Sequence, residues 1–340
     1  MQNSARREQE LSADHAHKPW VSVVVPCYNE ESVIEETHRR LTRACVEAVG
    51  GDYAIVYVND GSQDRTWERL ELIAAGDPRV VAVKLSRNFG HQIALTAGLS
   101  FAAGERILMI DADLQDPPEL LGAMMAEMDK GADVVYGKRT ERQGETAFKK
   151  ATASLFYRVL SRLTDIDIPQ DVGDFRLVNR RVLDALLSLP EQHRFVRGLV
   201  AWLGYNQVAF PYVRNERYAG ETKYPLSKMI RLAADAMTGF SVRPLRLGTW
   251  LSVVCFVFSL GLCGYALVSW MYLDVVKGWT SLVILGSLFA AANFLCLGIF
   301  GEYLGRMFQQ SKQRPLYFVS EVAVSSVAAH KTGEIEHVGR

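Results

Sequence analysis

The sequence predicts an α/β protein with a mostly parallel sheet, followed by an amphipathic surface helix and a two-helix transmembrane hairpin. Three observations lead there. Short β-branched runs alternate with helix-like stretches from residue 19 to about 213. No charge occurs between Arg246 and Asp274, and none between Lys277 and Glu302. Continuous apolar strands separated by helices imply a sheet buried on both faces, and a bilayer core needs about 20 apolar residues in a helix.

The elements follow in order. Residues 1–18 carry Arg6, Arg7, Glu8, Glu10 and Asp14 with no apolar stretch behind them and read as a mobile tail, not a signal peptide. WVSVVVPCY is the first strand, and Glu30 to Val49 suits a helix. YAIVYVND is the second strand, with a helix from about Asp64. VVAVKLS and the helix through IALTAGLSFA come next, then RILMIDAD, a helix opened by Pro117 and Pro118, and DVVYGKR as a fifth strand. Such sheets bind ligands at the C-terminal ends of their strands. The polar groups at those ends are Tyr28 to Glu30, Asn59-Asp60, Ser86 to Asn88, Asp111 with Asp113, and Lys138-Arg139.

Residues 19–224 thus form the catalytic or binding domain. Residues 225–246 read as a helix lying on a membrane surface, or as the last helix of the soluble domain. Residues 247–273 and 278–301 are the two spans, with Trp250, Trp270, Tyr272 and Trp279 near their ends; buried core helices are the alternative. Residues 302–340 are the C-terminal tail. Lys228, Arg231, Arg243 and Arg246 precede the first span, and Arg306, Lys312 and Arg314 follow the second. The positive-inside rule then places the domain and both termini in the cytoplasm.

Composition excludes several classes. Lys plus Arg is 38 and Asp plus Glu is 38, so there is no basic excess for a general nucleic-acid binder. Five cysteines without a C-x-x-C give neither a disulfide framework nor a zinc site. Neither G-x-G-x-x-G nor a Walker sequence is present, which speaks against an ordinary dinucleotide or P-loop site.

The chemistry concentrates in a few segments. Asp111 and Asp113, at i and i+2 off an apolar strand, point the same way and suit Mg2+ or Mn2+ together with a diphosphate; a charged turn capping the next helix reads equally from the pattern. Asp60, after Val58-Asn59 and before Gly61, can accept hydrogen bonds from a nucleobase or ribose, or serve a turn. Glu30 admits the same two readings, and Tyr28 can stack on a base. Arg217 and Lys223 flank Gly220 in a segment able to close over phosphates, or to meet anionic lipid.

VVVPCYNE, VNDGSQDRT, SRNFGHQIALTAG, DADLQDPPEL, VYGKR, GDFRLVNRRV, RFVRGLVAWLG and RYAGETKY occur in that order, ahead of the two spans. This resembles glycosyltransferase family 2, in the branch of dolichol-phosphate mannose synthase and the bacterial bactoprenol glucosyltransferases, over about residues 19–320. The resemblance implies a GT-A type, Rossmann-like fold and an inverting, metal-dependent hexosyltransferase. Its donor would be a nucleotide sugar, UDP-glucose first, and its acceptor polyprenyl (undecaprenyl) phosphate, as in O-antigen and lipopolysaccharide modification at the inner membrane. Pro26, Tyr28, Glu30, Val58, Asp60, Asp111 and Ala112 would hold the nucleotide. Asp111, Asp113 and Gln115 would hold Mg2+ or Mn2+, and Arg217 with Lys223 would clamp the donor diphosphate. Arg139, Lys149, Lys150 and Ser154 would meet the acceptor phosphate, and Asp174 in GDFR sits where the family places an active-site acid. The one visible departure is Asn59, where many relatives carry an acid. Relatives suggest a homotetramer in the lipid bilayer, and Gly286, Ala290, Ala291 and Ala292 allow close helix contact. The alternatives are another sugar, such as mannose from GDP-mannose, an N-acetylhexosamine or aminoarabinose, another lipid acceptor such as diacylglycerol, or a non-catalytic membrane scaffold.

Overall fold

The computed structural model describes residues 18–140, 172–192, 194–214, 253–258, 260–261, 264–265, 268 and 278–325. It divides into two compact units. The first holds residues 1–150, 168–223 and 314–340, and the second holds 151–167 and 224–313.

The first unit is built on an eight-stranded sheet. Its elements are β1 (Val21–Cys27), α1 (Ile34–Val49), β2 (Tyr53–Asn59), α2 (Thr66–Gly76), β3 (Val80–Leu85), α3 (His91–Phe101), β4 (Arg106–Met109), α4 (Leu121–Asp129), β5 (Val134–Arg139), β6 (Val172–Asn179), α5 (Arg180–Ser188), α6 (Val196–Trp202) and β7 (Gln207–Tyr212). The sheet is completed by β8 (Val319–Val324), from the far end of the chain, and the strand order is β7-β5-β6-β4-β1-β2-β3-β8. β1 is buried along its whole length, as a central strand under helices on both faces must be. Pro26 fits there because the pairing with β4 stops at Val24, so the missing amide takes no bond from that neighbour. Glu35 and Glu36 in the first turn of α1 suit the positive end of its dipole. Asn179 caps α5, its Oδ1 accepting from Val182 N at 3.0 Å.

Two features depart from the sequence reading. Of the seven pairings four are parallel, joining β1 to β2, β1 to β4, β2 to β3 and β5 to β7, but β6 inserts antiparallel between β4 and β5, and β8 runs antiparallel to β3. β6 escapes a hydropathy reading because Asp174 and Arg176 interrupt VGDFRLVN, yet both are buried. The segment from 302 onward is also not a plain tail. The last helix continues through Ser311, and residues 319–324 return to the sheet edge. There Lys84 Nζ meets Glu321 Oε1 at 2.6 Å, and Ser320 Oγ donates to the Lys84 carbonyl at 3.1 Å.

In the second unit, α7 (Trp279–Ser311) is 33 residues long, about 50 Å at 1.5 Å per residue. Its portion Leu288–Ser311 contains an 18-residue window with a mean hydropathy of 1.5 and is long and apolar enough to cross a membrane. Leu288, Phe294, Leu295, Leu297 and Phe300 are exposed on it. Among the described residues it is the one helix of this kind. Fragments of the first expected span are helical, and Phe258 lies against Phe289 with ring centroids 6.4 Å apart. The link 274–277 and the expected surface helix 225–246 lie outside the described residues.

Candidate active site

The C-terminal ends of the strands form one rim. The loops after β1 and β2 are laced together: Asn29 N donates to Ser62 Oγ at 3.0 Å, Gln63 N to Asn29 Oδ1 at 2.9 Å, and Glu30 N to Thr66 Oγ1 at 2.8 Å. Asn29 takes a positive φ of 55° in the process. Pro26 and Val58 are buried register partners beneath this rim, and Tyr28 is exposed on it. Asp60 is buried and accepts from Phe89 N at 2.7 Å and Gly90 N at 2.9 Å, which fixes the entry to α3. Burial raises its pKa in spite of these bonds. Gly61 has φ +64°, and a Cβ there would sit 2.5 Å from the Arg87 carbonyl carbon and from Asn88 N, so only glycine lets the two loops touch.

Asp111 follows β4. Its neighbour Ala112 is buried, and the Ala112 carbonyl accepts from Thr37 Oγ1 at 2.7 Å. Asp113 Oδ1 accepts from Gln115 N at 3.2 Å, turning the chain sharply with Leu114 at φ 58°. Asp111 Oδ1 is buried without a hydrogen-bond partner, and His91 Nε2 lies 3.5 Å away. Burial pushes Asp111 up to about 6; the His91 charge opposes this and Asp174, Asp116 and Asp113 add to it. A carboxylate oxygen left without a hydrogen-bond donor is a fitting place for a hard divalent cation. Among the described residues no three His, Cys, Asp or Glu side chains form a ready cage. Asp111 and Asp113 could hold such a cation only with further oxygen ligands, such as diphosphate oxygens and water, as Mg2+ and Mn2+ commonly accept.

Asp174 on β6 lies at the centre of a polar network. Its carboxylate is buried and meets His91 Nε2 at 3.1 Å, Gln92 Nε2 at 2.9 Å and Arg197 Nε at 3.2 Å. Burial disfavours its charge, but Arg197 and His91 outweigh that and hold Asp174 well below the usual carboxylate range. For His91, burial also opposes the charge, yet Asp111 and Asp174 push it up to about 9. Gln92 Oε1 then accepts from Val196 N at 2.9 Å, so the network ties α3 to the start of α6. Arg176 is buried one step along β6 and donates to the Gly173 carbonyl at 3.2 Å.

Arg139 ends β5 beside this network. Its Nε donates to Tyr212 Oη at 3.4 Å, and its Nη2 lies 3.9 Å from Asp116 Oδ1. The Tyr212 hydroxyl donates to Asp116, which is fully buried. Gly173 makes room for the guanidinium, because a Cβ there would lie 2.7 Å from Arg139 Nη2.

The structure thus brings Tyr28, Glu30, Asp60, Asp111, Asp113, Gln115, Arg139 and Asp174 to one side of one sheet. Lys149, Lys150, Ser154, Arg217 and Lys223 lie outside the described residues. Sequence reasoning gave no role to His91, Gln92, Arg197, Asp116, Tyr212 or Arg214. The first two open the helix after β3, a position from which a side chain can reach the strand ends. Nothing in the local pattern marks Tyr212.

The profile of the family described as Glycosyl transferase family 2 matches residues 22–187. The uncharacterized glycosyltransferase YkcC of Bacillus subtilis (strain 168) is 49% identical over 303 residues, covering 88% of this chain and 93% of that one. The prophage bactoprenol glucosyl transferase homolog of Escherichia coli (strain K12) is 35% identical over 312 residues, covering 89% and 99%. The bactoprenol glucosyl transferase of Shigella phage SfV is 36% identical over 305 residues, covering 88% and 97%. Among solved structures, glucosyl-3-phosphoglycerate synthase from Mycobacterium tuberculosis, in complex with Mn2+, UDP-glucose and phosphoglyceric acid, aligns with a TM-score of 0.42 at 22% identity, over 68% of this chain and 81% of that one.

Proposed function

The chain belongs to glycosyltransferase family 2, and on that premise we propose that it transfers a hexose, glucose from UDP-glucose first, to polyprenyl phosphate with inversion. The observation that carries this reading is the opposition of charge on one rim: half-buried Asp111 with Asp113 after the end of β4, and the Arg139 guanidinium at the end of β5. Relatives named bactoprenol glucosyl transferase align over nearly the whole chain and support the choice of acceptor.

The chemistry follows from the acceptor. A phosphate monoester has a second pKa of about 6 and is largely dianionic at neutral pH, so no general base is required. The protein's task is to bring two anions together. A divalent cation on Asp111 and Asp113, with Gln115 following on the same turn, would supply charge to the leaving diphosphate. Tyr28, Glu30, Asp60 and the β1–β2 rim would seat the nucleotide, with Arg217 and Lys223 over the diphosphate. Arg139, with Lys149, Lys150 and Ser154, would hold the acceptor phosphate for attack on the anomeric carbon opposite the leaving group. Asp174 is already committed to His91, Gln92 and Arg197, which suits an orienting role rather than proton transfer. In this reading residues 247–273 and 278–301 span the inner membrane of a homotetramer, with the catalytic domain cytoplasmic and residues 225–246 on the bilayer surface.

The test is a panel of nucleotide sugars with undecaprenyl phosphate and the purified full chain, products read by mass spectrometry and anomeric NMR. A β-linked lipid product from an α-linked donor is expected. Nucleotide release without a lipid-linked sugar, from every donor, would refute the acceptor assignment.

A further inference from the structure

We propose that Arg214 is a second ligand for the acceptor phosphate, held beside Arg139 by the buried carboxylate of Asp116. This rests on the function proposed above. Asp116 Oδ1 lies 3.9 Å from Arg139 Nη2 and 3.7 Å from Arg214 Nε, and the Tyr212 hydroxyl donates to the same oxygen. Two guanidinium groups therefore converge on a single carboxylate that has no exposure to solvent. Both distances exceed hydrogen-bonding range, so Asp116 attracts the two cations without consuming their donors.

A closed structural ion cluster would look different. Buried charges normally satisfy one another's hydrogen bonds, since an unmet buried donor or acceptor is costly. Here Asp116 Oδ2 and Arg214 Nε are both buried and lack a hydrogen-bond partner among the described residues. The two arginines also exceed the one carboxylate by a unit of positive charge. A phosphate monoester is the matching anion: it takes several donors from planar guanidinium forks, and its charge relieves the repulsion between them.

The backbone explains the convergence. β5 and β7 are parallel neighbours with Arg139 opposite Tyr212, and Thr140 N donates to the Tyr212 carbonyl at 3.0 Å. Arg214 follows two residues after Tyr212, beside the end of β5. Gly173 leaves the floor open under Arg139. Asp116 comes from the turn after the metal-site acids, so the arrangement also fixes the spacing between acceptor phosphate and donor cation.

The test uses the full chain in detergent with farnesyl phosphate as acceptor. R214Q should raise the acceptor KM about tenfold, the loss expected for one charge-assisted bond, with the donor KM within about twofold. R214K should recover part of the loss. An unchanged acceptor KM, or an equal rise in donor KM, would overturn the assignment. A large fall in Tm in both variants would also overturn it, by making Arg214 a structural member of the cluster. Farnesyl phosphate binding followed by 31P NMR separates this from failure of the transfer reading. If the wild type binds farnesyl phosphate but transfers nothing, the proposed function fails, and weakened binding in R214Q still supports the arginine pair. If inorganic phosphate competes equally in wild type and R214Q, Arg214 does not read the phosphate and the proposal falls.

Discussion

Replacing Gly173 with alanine should damage acceptor use and spare the fold. The new Cβ would lie 2.7 Å from Arg139 Nη2, with Asp116 Oδ2 at 3.8 Å. Ordinary contact begins near 3.4 Å, so the guanidinium must retreat by roughly 0.7 Å. It is the far end of a flexible side chain, and Gly173 is not in the left-handed region, so the backbone has no reason to yield. Stability should change by less than about 1 kcal/mol, a Tm shift of no more than about 4 °C for a domain of this size. A displacement near 1 Å at a positioning group can cost about 100-fold, so kcat/KM for the acceptor should fall between about 10- and 100-fold. Gly61→Ala is the contrast. Its Cβ would strike backbone at 2.5 Å from a φ of +64°, which should cost more than about 2 kcal/mol. Thermal melts and acceptor titrations of both variants decide the matter. A Gly173→Ala enzyme with normal acceptor KM, or one that melts as early as Gly61→Ala, would refute the reasoning.

Asp111→Asn and Asp113→Asn should each remove turnover by at least about 100-fold while the protein stays folded; full activity of either in excess EDTA would rule out the metal role. Burial pushes Cys45 up to about 12 and raises Cys27 as well, so neither should react with maleimide in the native protein at neutral pH, and both should react after unfolding; mass spectrometry reads the difference, and native labelling of Cys45 at a free-thiol rate would contradict its burial. For Asp77, burial works against the charge, but hydrogen bonds from Arg79 outweigh it and hold the carboxyl below its ordinary value. A depressed folded pKa contributes stability above the unfolded value of about 4, lost as pH falls through the folded one. Asp77→Asn should therefore lose about 1 kcal/mol at pH 7, given a partly exposed partner, and the gap to wild type should narrow only below about pH 4; a gap that persists at pH 2.5 would place the effect elsewhere.

The strands β1 to β5 were legible because each is an apolar run bounded by turn residues, and the periodicity needs no tertiary partner. β6 and β8 were not. Asp174 and Arg176 look like surface charges until His91, Arg197 and the Gly173 carbonyl are placed around them. β8 is VSEVAV, with Glu321 facing Lys84 from across the sheet, and little in that hexamer distinguishes an edge strand from a tail. The acids of the D-x-D segment and Arg139 were readable from strand ends and from family resemblance. Tyr212 was not, because its part depends on β7 lying beside β5.

The return of β8 to the edge of β3 has a consequence for synthesis. Lys84 and Glu321 are 237 positions apart, and a ribosome adds about 5–20 residues per second. The β3 edge must then stand open for roughly 12–50 seconds, while all of the apolar helical segments are being made. Bare strand edges of this kind invite pairing with other chains. The growing polypeptide would need shelter at that edge, as from a chaperone, until β8 arrives.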